Sequence, residues 1–176
     1  MPDIRIELPG AQFRRAYLLY VVEIRHGKEQ YFYVGQTGDN NYVTARPAFR
    51  RLSGHLEDTG QSTQNQVYRY IVINILGHRE ATSKAPFREA VKQDAEDFLV
   101  ESTVLMHIYK VKPFKPDISR DNHLRQVKNI RLMEKYVMVS FLEVGRSLMN
   151  KKIVKPRGAC PYPKLLTRIK SDFDLK

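Results

Sequence analysis

From residue 17 the chain runs Tyr17, Leu18, Leu19, Tyr20, Val21, Val22, Glu23, Ile24, then turns polar at His26, Gly27 and Lys28. An apolar run dense in β-branched and aromatic side chains, closed by such a stretch, predicts a strand and a turn. Tyr31, Phe32, Tyr33 and Val34 resume the pattern and stop at Gly35, so the two runs are expected to pair as a hairpin. A polar loop over residues 36–46 ends at Pro47, whose fixed φ suits a first helical turn, and residues 48–57 are expected to form that helix. Val67, Tyr70, Ile71, Ile73 and Ile75 or Leu76 predict a second helix over residues 64–76, closed by Gly77, with strand the alternative at its β-branched end.

Residues 87–91 are expected to be a short strand. Residues 94–109 read as a helix opened by Asp94 as N-cap, burying Phe98, Leu99, Val104, Leu105 and Ile108. From His123 to about Met149, apolar residues recur at three- and four-residue steps (Leu124, Val127, Ile130, Met133, Val137, Phe141), which predicts one long helix. Between Gly145 and Lys170 stand Arg146, Lys151, Lys152, Lys155, Arg157, Lys164, Arg168 and Lys170, with no acidic residue. Pro156, Pro161 and Pro163 make an extended basic arm the expectation there, not a helix. The organisation expected is an N-terminal segment (1–15), a core (16–122), and a long helix with a basic arm (123–176).

Charge narrows the function. Thirty Lys and Arg against nineteen Asp and Glu leave a formal net charge of +11 on 176 residues, a field that draws polyanions, nucleic acid first among them. A 42% hydrophobic share is enough to build a core. Cys160 is the single cysteine, which excludes an intrachain disulfide and any multi-cysteine zinc site. No apolar run is long enough for a bilayer and the N-terminus lacks the order of a signal peptide, so a cytoplasmic setting is expected. There is no His-x-x-x-His pair, no phosphate-binding glycine-lysine loop and no dinucleotide fingerprint.

What stands out is a series of features in order. Leu18-Leu19-Tyr20 is similar to a Gly-Ile-Tyr element, Tyr33-Val34-Gly35-Gln36-Thr37 to a Tyr-Ile-Gly element, and Arg51-Leu52-Ser53-Gly54-His55 to an arginine helix; the segment from Ala95 to Glu101 is similar to a glutamate helix. In this order the chain resembles the GIY-YIG nuclease family, over residues 16–122. Leu18 stands where the family has glycine, residues 39–47 lengthen the gap before Arg51, and Asn122 is the nearest candidate for a late asparagine.

The resemblance implies an α/β (α+β) fold with a small three-stranded antiparallel sheet flanked by helices. It implies a restriction-type or mobile-element-type endonuclease, with a repair or recombination nuclease next. Tyr20, Tyr33, Arg51, His55 and Glu101 would be the catalytic set, Gly35 a point of close backbone approach, and Glu101 the ligand of one Mg²⁺ or Mn²⁺ ion. The residue types suit phosphodiester hydrolysis. A guanidinium fork holds two phosphate oxygens, a carboxylate takes a hard cation, and a phenol near cations can help to activate water. A helix puts Arg51 and His55 on one face.

The partner expected is duplex DNA, gripped in addition by Lys151, Lys152, Lys155 and Arg157, with the long C-terminal helix available for a homodimer. Three other readings stand beside this one. The tyrosines could be cross-strand packing and the charges a solvated helix face; the chain could be a catalytically silent nucleic-acid-binding module; or it could be a nuclease directed at RNA.

Overall fold

A computed structural model describes residues 7–57, 65–78 and 89–175. The hairpin forms as expected: β1 (Ala16–His26) and β2 (Glu29–Gln36) pair antiparallel around Gly27, which turns at φ +57°. Strand β3 (Ser102–Pro113) lies antiparallel on the other edge of β1, and β4 (Ser147–Leu148) adds two residues parallel to β2. The sheet order is β3-β1-β2-β4, four strands and not three. The extra strand is possible because the chain crosses the sheet on a long helix before returning, the connection that parallel pairing needs.

Helix α1 (Ala48–Leu56) follows Pro47. Helix α2 (Gln66–Tyr70) runs on into a π-helical turn, Ile71–Ile75, that ends before Gly77 at φ +79°. Helix α3 (Glu89–Val100), helix α4 (Arg120–Glu143) and helix α5 (Pro163–Asp172) complete the mixed α/β fold. None of these helices is long and apolar enough to cross a membrane.

Three expectations are corrected. The helix read over residues 94–109 ends at Val100, and its second half is β3. Thr103, Val104, Leu105, Met106, His107, Ile108 and Tyr109 carry enough β-branched and aromatic residues for either element, and pairing along the whole of β1 decides for strand. The short strand expected at 87–91 falls partly outside the described residues, and Glu89 to Val91 belong to α3. The long helix stops at Glu143 because Gly145, at φ +71°, turns the chain towards β4.

The basic tail is likewise not a free arm. Met149 N–H donates to the Phe32 carbonyl at 2.7 Å, Tyr136 donates to the Gly158 carbonyl at 2.5 Å, and α5 starts on Pro163 as its first residue. Ile169, Phe173 and Leu175 then bury into the main core with Leu19, Val21, Met133, Val137 and Phe141. The boundary expected at 122/123 thus falls inside α4, a helix that packs on β1 and β2.

Helices cover both faces of the sheet. Tyr20, Val22, Ile24 and Tyr33 pack with Val67, Ile71, Phe98 and Met149 on one face; Leu19, Val21, Phe32 and Val34 pack against α4 and α5 on the other. A central strand with both faces covered reads as a continuous apolar run, and β1 is buried without a break from Ala16 to Ile24. Glu23 is the charged residue in that run, held by Arg25 at 2.5 Å and His107 at 2.9 Å.

Candidate active site

The pairing register places Tyr20 opposite Gly35, at the end of the hairpin away from its turn. The Tyr20 ring lies across that glycine: a Cβ at position 35 would stand 2.4 Å from Tyr20 Cζ and Oη. Gly35 is therefore required by close approach of a side chain, not by a special φ. Tyr33, two residues earlier on β2, projects to the same face, with its ring centroid 6.4 Å from that of Tyr20.

Helix α1 then brings two residues one turn apart onto this pair. His55 Nε2 lies 2.7 Å from the Tyr20 hydroxyl, and the His55 ring packs on Tyr33 with centroids 4.5 Å apart. Arg51 Nε–H donates to the Tyr20 oxygen at 3.1 Å. The tautomer of His55 sets which group donates in its contact with Tyr20, since the phenol oxygen can accept a second hydrogen bond beside that from Arg51. Tyr20 and His55 are both essentially without solvent exposure.

Glu134 of α4, half-buried and without a hydrogen-bond or ion-pair partner among the described residues, lies near enough for its charge to act on Tyr20, Tyr33 and Arg51. Burial pushes its carboxyl up to about 7, against the pull of Arg131, Arg51 and Lys135. Burial also raises both phenols, Tyr20 to about 12 although Arg51 opposes it, and the charge of Glu134 adds to the rise in each. Arg51 is held in its charged form: burial works against the charge, but Tyr20, Tyr33 and Glu134 outweigh it.

Beside this group opens a polar cleft of about 420 Å³ lined by Arg46, Arg51 and Arg131 together with Gln36, Asn41 and Gln66. The inserted loop forms one wall. It is closed by a bridge between Gly38 and Ala45 and tied down by buried His123, which contacts the Asp39 carbonyl at 2.6 Å and the Tyr17 hydroxyl at 2.7 Å. Asp39 lines the cleft too and pairs with Arg46 at 3.5 Å, so Arg51 and Arg131 are the guanidinium groups placed to meet an anion with several oxygens.

The structure thus brings together Tyr20, Tyr33, Gly35, Arg51 and His55, and leaves the other expected residues elsewhere. Glu101 is exposed in the turn before β3. Ser102 pairs with His26 and Ile108 with Tyr20, which puts Glu101 about 20 Å along the strand from the tyrosines. Asn122 is exposed in the first turn of α4, its N–H donating to Ser119 Oγ, and lies about 18 Å along the helix from Glu134. Lys151, Lys152, Lys155 and Arg157 are exposed on the segment between β4 and α5.

Two residues near the site went unread in the sequence. Glu134 sits between Arg131 and Lys135 and looks like a solvated face; the available signal was its place four residues after Ile130, inside the buried stripe, where a carboxylate is costly unless something pairs with it. Asn150 bonds both backbone groups of Val34, accepting from N–H at 2.9 Å and donating to the carbonyl at 2.7 Å. It fixes the strand between Tyr33 and Gly35, and no local pattern announces it. Set against models of protein families, curated proteins and solved structures, the chain has no match.

Proposed function

We propose that this chain is a metal-dependent endonuclease that hydrolyses DNA phosphodiester bonds, in keeping with its resemblance to the GIY-YIG nucleases. One observation carries the reading: two phenols, an imidazole and a guanidinium converge beside a cleft that holds three arginines, with a carboxylate that has no partner among the described residues in electrostatic range of them. A purely structural cluster would pair its carboxylate, as Glu23 is paired.

Arg51 spends its Nε on Tyr20, and its terminal nitrogens have no acceptor among the described residues. They can hold the phosphate through the pentacoordinate transition state, where charge stabilisation matters most. Tyr20 is protonated at neutral pH, because burial holds it near 12. It acts through His55: a water at the phosphate gives its proton to the Tyr20 oxygen as Tyr20 passes its own to His55 Nε2. Tyr33, whose hydroxyl has no partner among the described residues, orients that water.

Glu134 fits the single carboxylate that a Mg²⁺ or Mn²⁺ ion would take. Among the described residues no group of three or more acidic, His or Cys side chains occurs, and a hard cation held by one carboxylate completes its shell with water and substrate oxygens. Such an ion, when bound, stabilises the leaving oxygen and the charge on the phosphate. The test is plasmid nicking by the purified protein in Mg²⁺, with and without chelator. Cutting that chelator stops supports the enzyme; retardation of DNA without a cut in Mg²⁺ or Mn²⁺ overturns it in favour of a binding module.

A further inference from the structure

A second cleft, about 530 Å³, opens on the other side of Gln66, which lines both. Its walls differ in kind. The first cleft is lined by polar and charged side chains and by Gly38, whereas this one carries Tyr70 and Ile73 on one side and Met149 on the other, with Arg69 and Lys151 as its cations. Met149 is itself buried in the core beneath Tyr20 and Tyr33, and the neighbouring Asn150 grips Val34. The two clefts thus share Gln66 and border one core cluster, that of Tyr20 and Tyr33.

Its shape comes from the π-helical turn Ile71–Ile75, in which the Leu76 N–H reaches back to the Ile71 carbonyl. The wider turn follows directly on Tyr70 and carries Ile73 and Asn74 into the cleft wall. Such turns interrupt helices at functional sites often enough to draw notice to what they present. Here they present an aromatic ring, an aliphatic wall and an amide, bordered by positive charge.

We propose that this cleft seats one unstacked nucleobase next to the phosphate held at Arg51, with the ring of Tyr70 as its stacking partner and Arg69 and Lys151 on the adjoining backbone. The proposal rests on the nuclease reading for its choice of ligand. A volume of this size is in the range of sites for small organic groups. An apolar slot beside cations matches a base attached to its phosphates, because every base has a π-face and every linkage a negative charge. A base withdrawn from its stack also exposes the neighbouring phosphate to the Arg51 side of Gln66.

The test compares a twelve-residue oligodeoxyadenylate with an abasic strand of the same length and charge, both titrated in chelator so that nothing is cut. The wild-type chain binds the adenylate more tightly, by between about fivefold and a hundredfold, the range that one base–aromatic stack supplies. Tyr70→Ala loses that preference yet binds the abasic strand as the wild type does, which shows that it is folded; Tyr70→Phe keeps the preference. Should Tyr70→Ala lose affinity for both strands, Tyr70→Leu, which retains the apolar contact without the ring, decides instead. Equal wild-type affinity for the two strands, or a preference that survives both Tyr70→Ala and Tyr70→Leu, overturns the proposal. Neither result bears on plasmid nicking, so this proposal and the nuclease reading fail separately.

Discussion

Glu23 and Glu134 are carboxylates on a strand and on the helix packed against it, and the fold treats them in opposite ways. Glu23 accepts from Arg25 and lies against His107; burial would raise its pKa, but those hydrogen bonds outweigh it and the carboxyl is held below its ordinary range. Glu134 has Arg51, Arg131 and Lys135 near enough to act on it but no direct bond to any of them, and its carboxyl is pushed up to about 7. The paired group is part of what holds the sheet together. The other is kept at a cost to stability, which is the usual mark of a group placed for ligand or chemistry.

Substitution separates the two most sharply. Glu134→Gln is expected to lower the nicking rate by about a hundredfold or more while DNA affinity in chelator stays within a few-fold of wild type, since one group of the transition-state set is removed. Glu101→Gln, by contrast, leaves nicking unchanged. If the two variants exchanged these outcomes in plasmid assays, the site would have to be redrawn around the turn before β3.

Glu23→Gln has the converse profile. It leaves Arg25 and His107 with a weaker partner and is expected to cost about 1–3 kcal/mol in urea unfolding, with nicking intact at temperatures where the chain is folded. Equal stability of the Gln variant and the wild type would mean that the buried pairing contributes nothing net.

The pH dependence of stability should run in opposite directions for the two groups. Glu134 has a folded-state pKa above its unfolded value, so between the ordinary carboxylate range and pH 7 the folded chain holds a proton that the unfolded chain does not. Stability from this group falls as pH rises through that window, by on the order of 3 kcal/mol. Glu23 is lowered, so its contribution is present above the ordinary range and is lost as pH falls through the folded pKa. Urea titrations of Glu134→Gln at pH 5 and pH 8 should show the first slope removed; an unchanged slope assigns it to another group.

The smallest effect expected is in the tail. Replacing Lys151, Lys152 and Arg157 by Ala should flatten the salt dependence of DNA binding by up to about three phosphate contacts and leave folding as it was, because all three are exposed while Ile169, Phe173 and Leu175 anchor the segment. An unchanged slope would remove these cations from the interface.

Taken by itself, the sequence determined what local pattern can specify. The hairpin and its two tyrosines follow from two apolar runs around Gly27, and Pro47 with the four-residue step from Arg51 to His55 put a cation and an imidazole on one face of a helix. Neighbours along the chain set those positions through strand and helix periods. Other features depended on partners far away in the chain. Strand β3 was written in residues that serve helix as well as strand, and the length of β1 settled it. The tail became α5 because a core was there to take its apolar side. Glu134 came within electrostatic range of the tyrosines only because α4 packs on the sheet after β3, so burial without a partner among the described residues, the property that marks it, exists only in the folded chain: it is a relation among side chains a hundred residues apart.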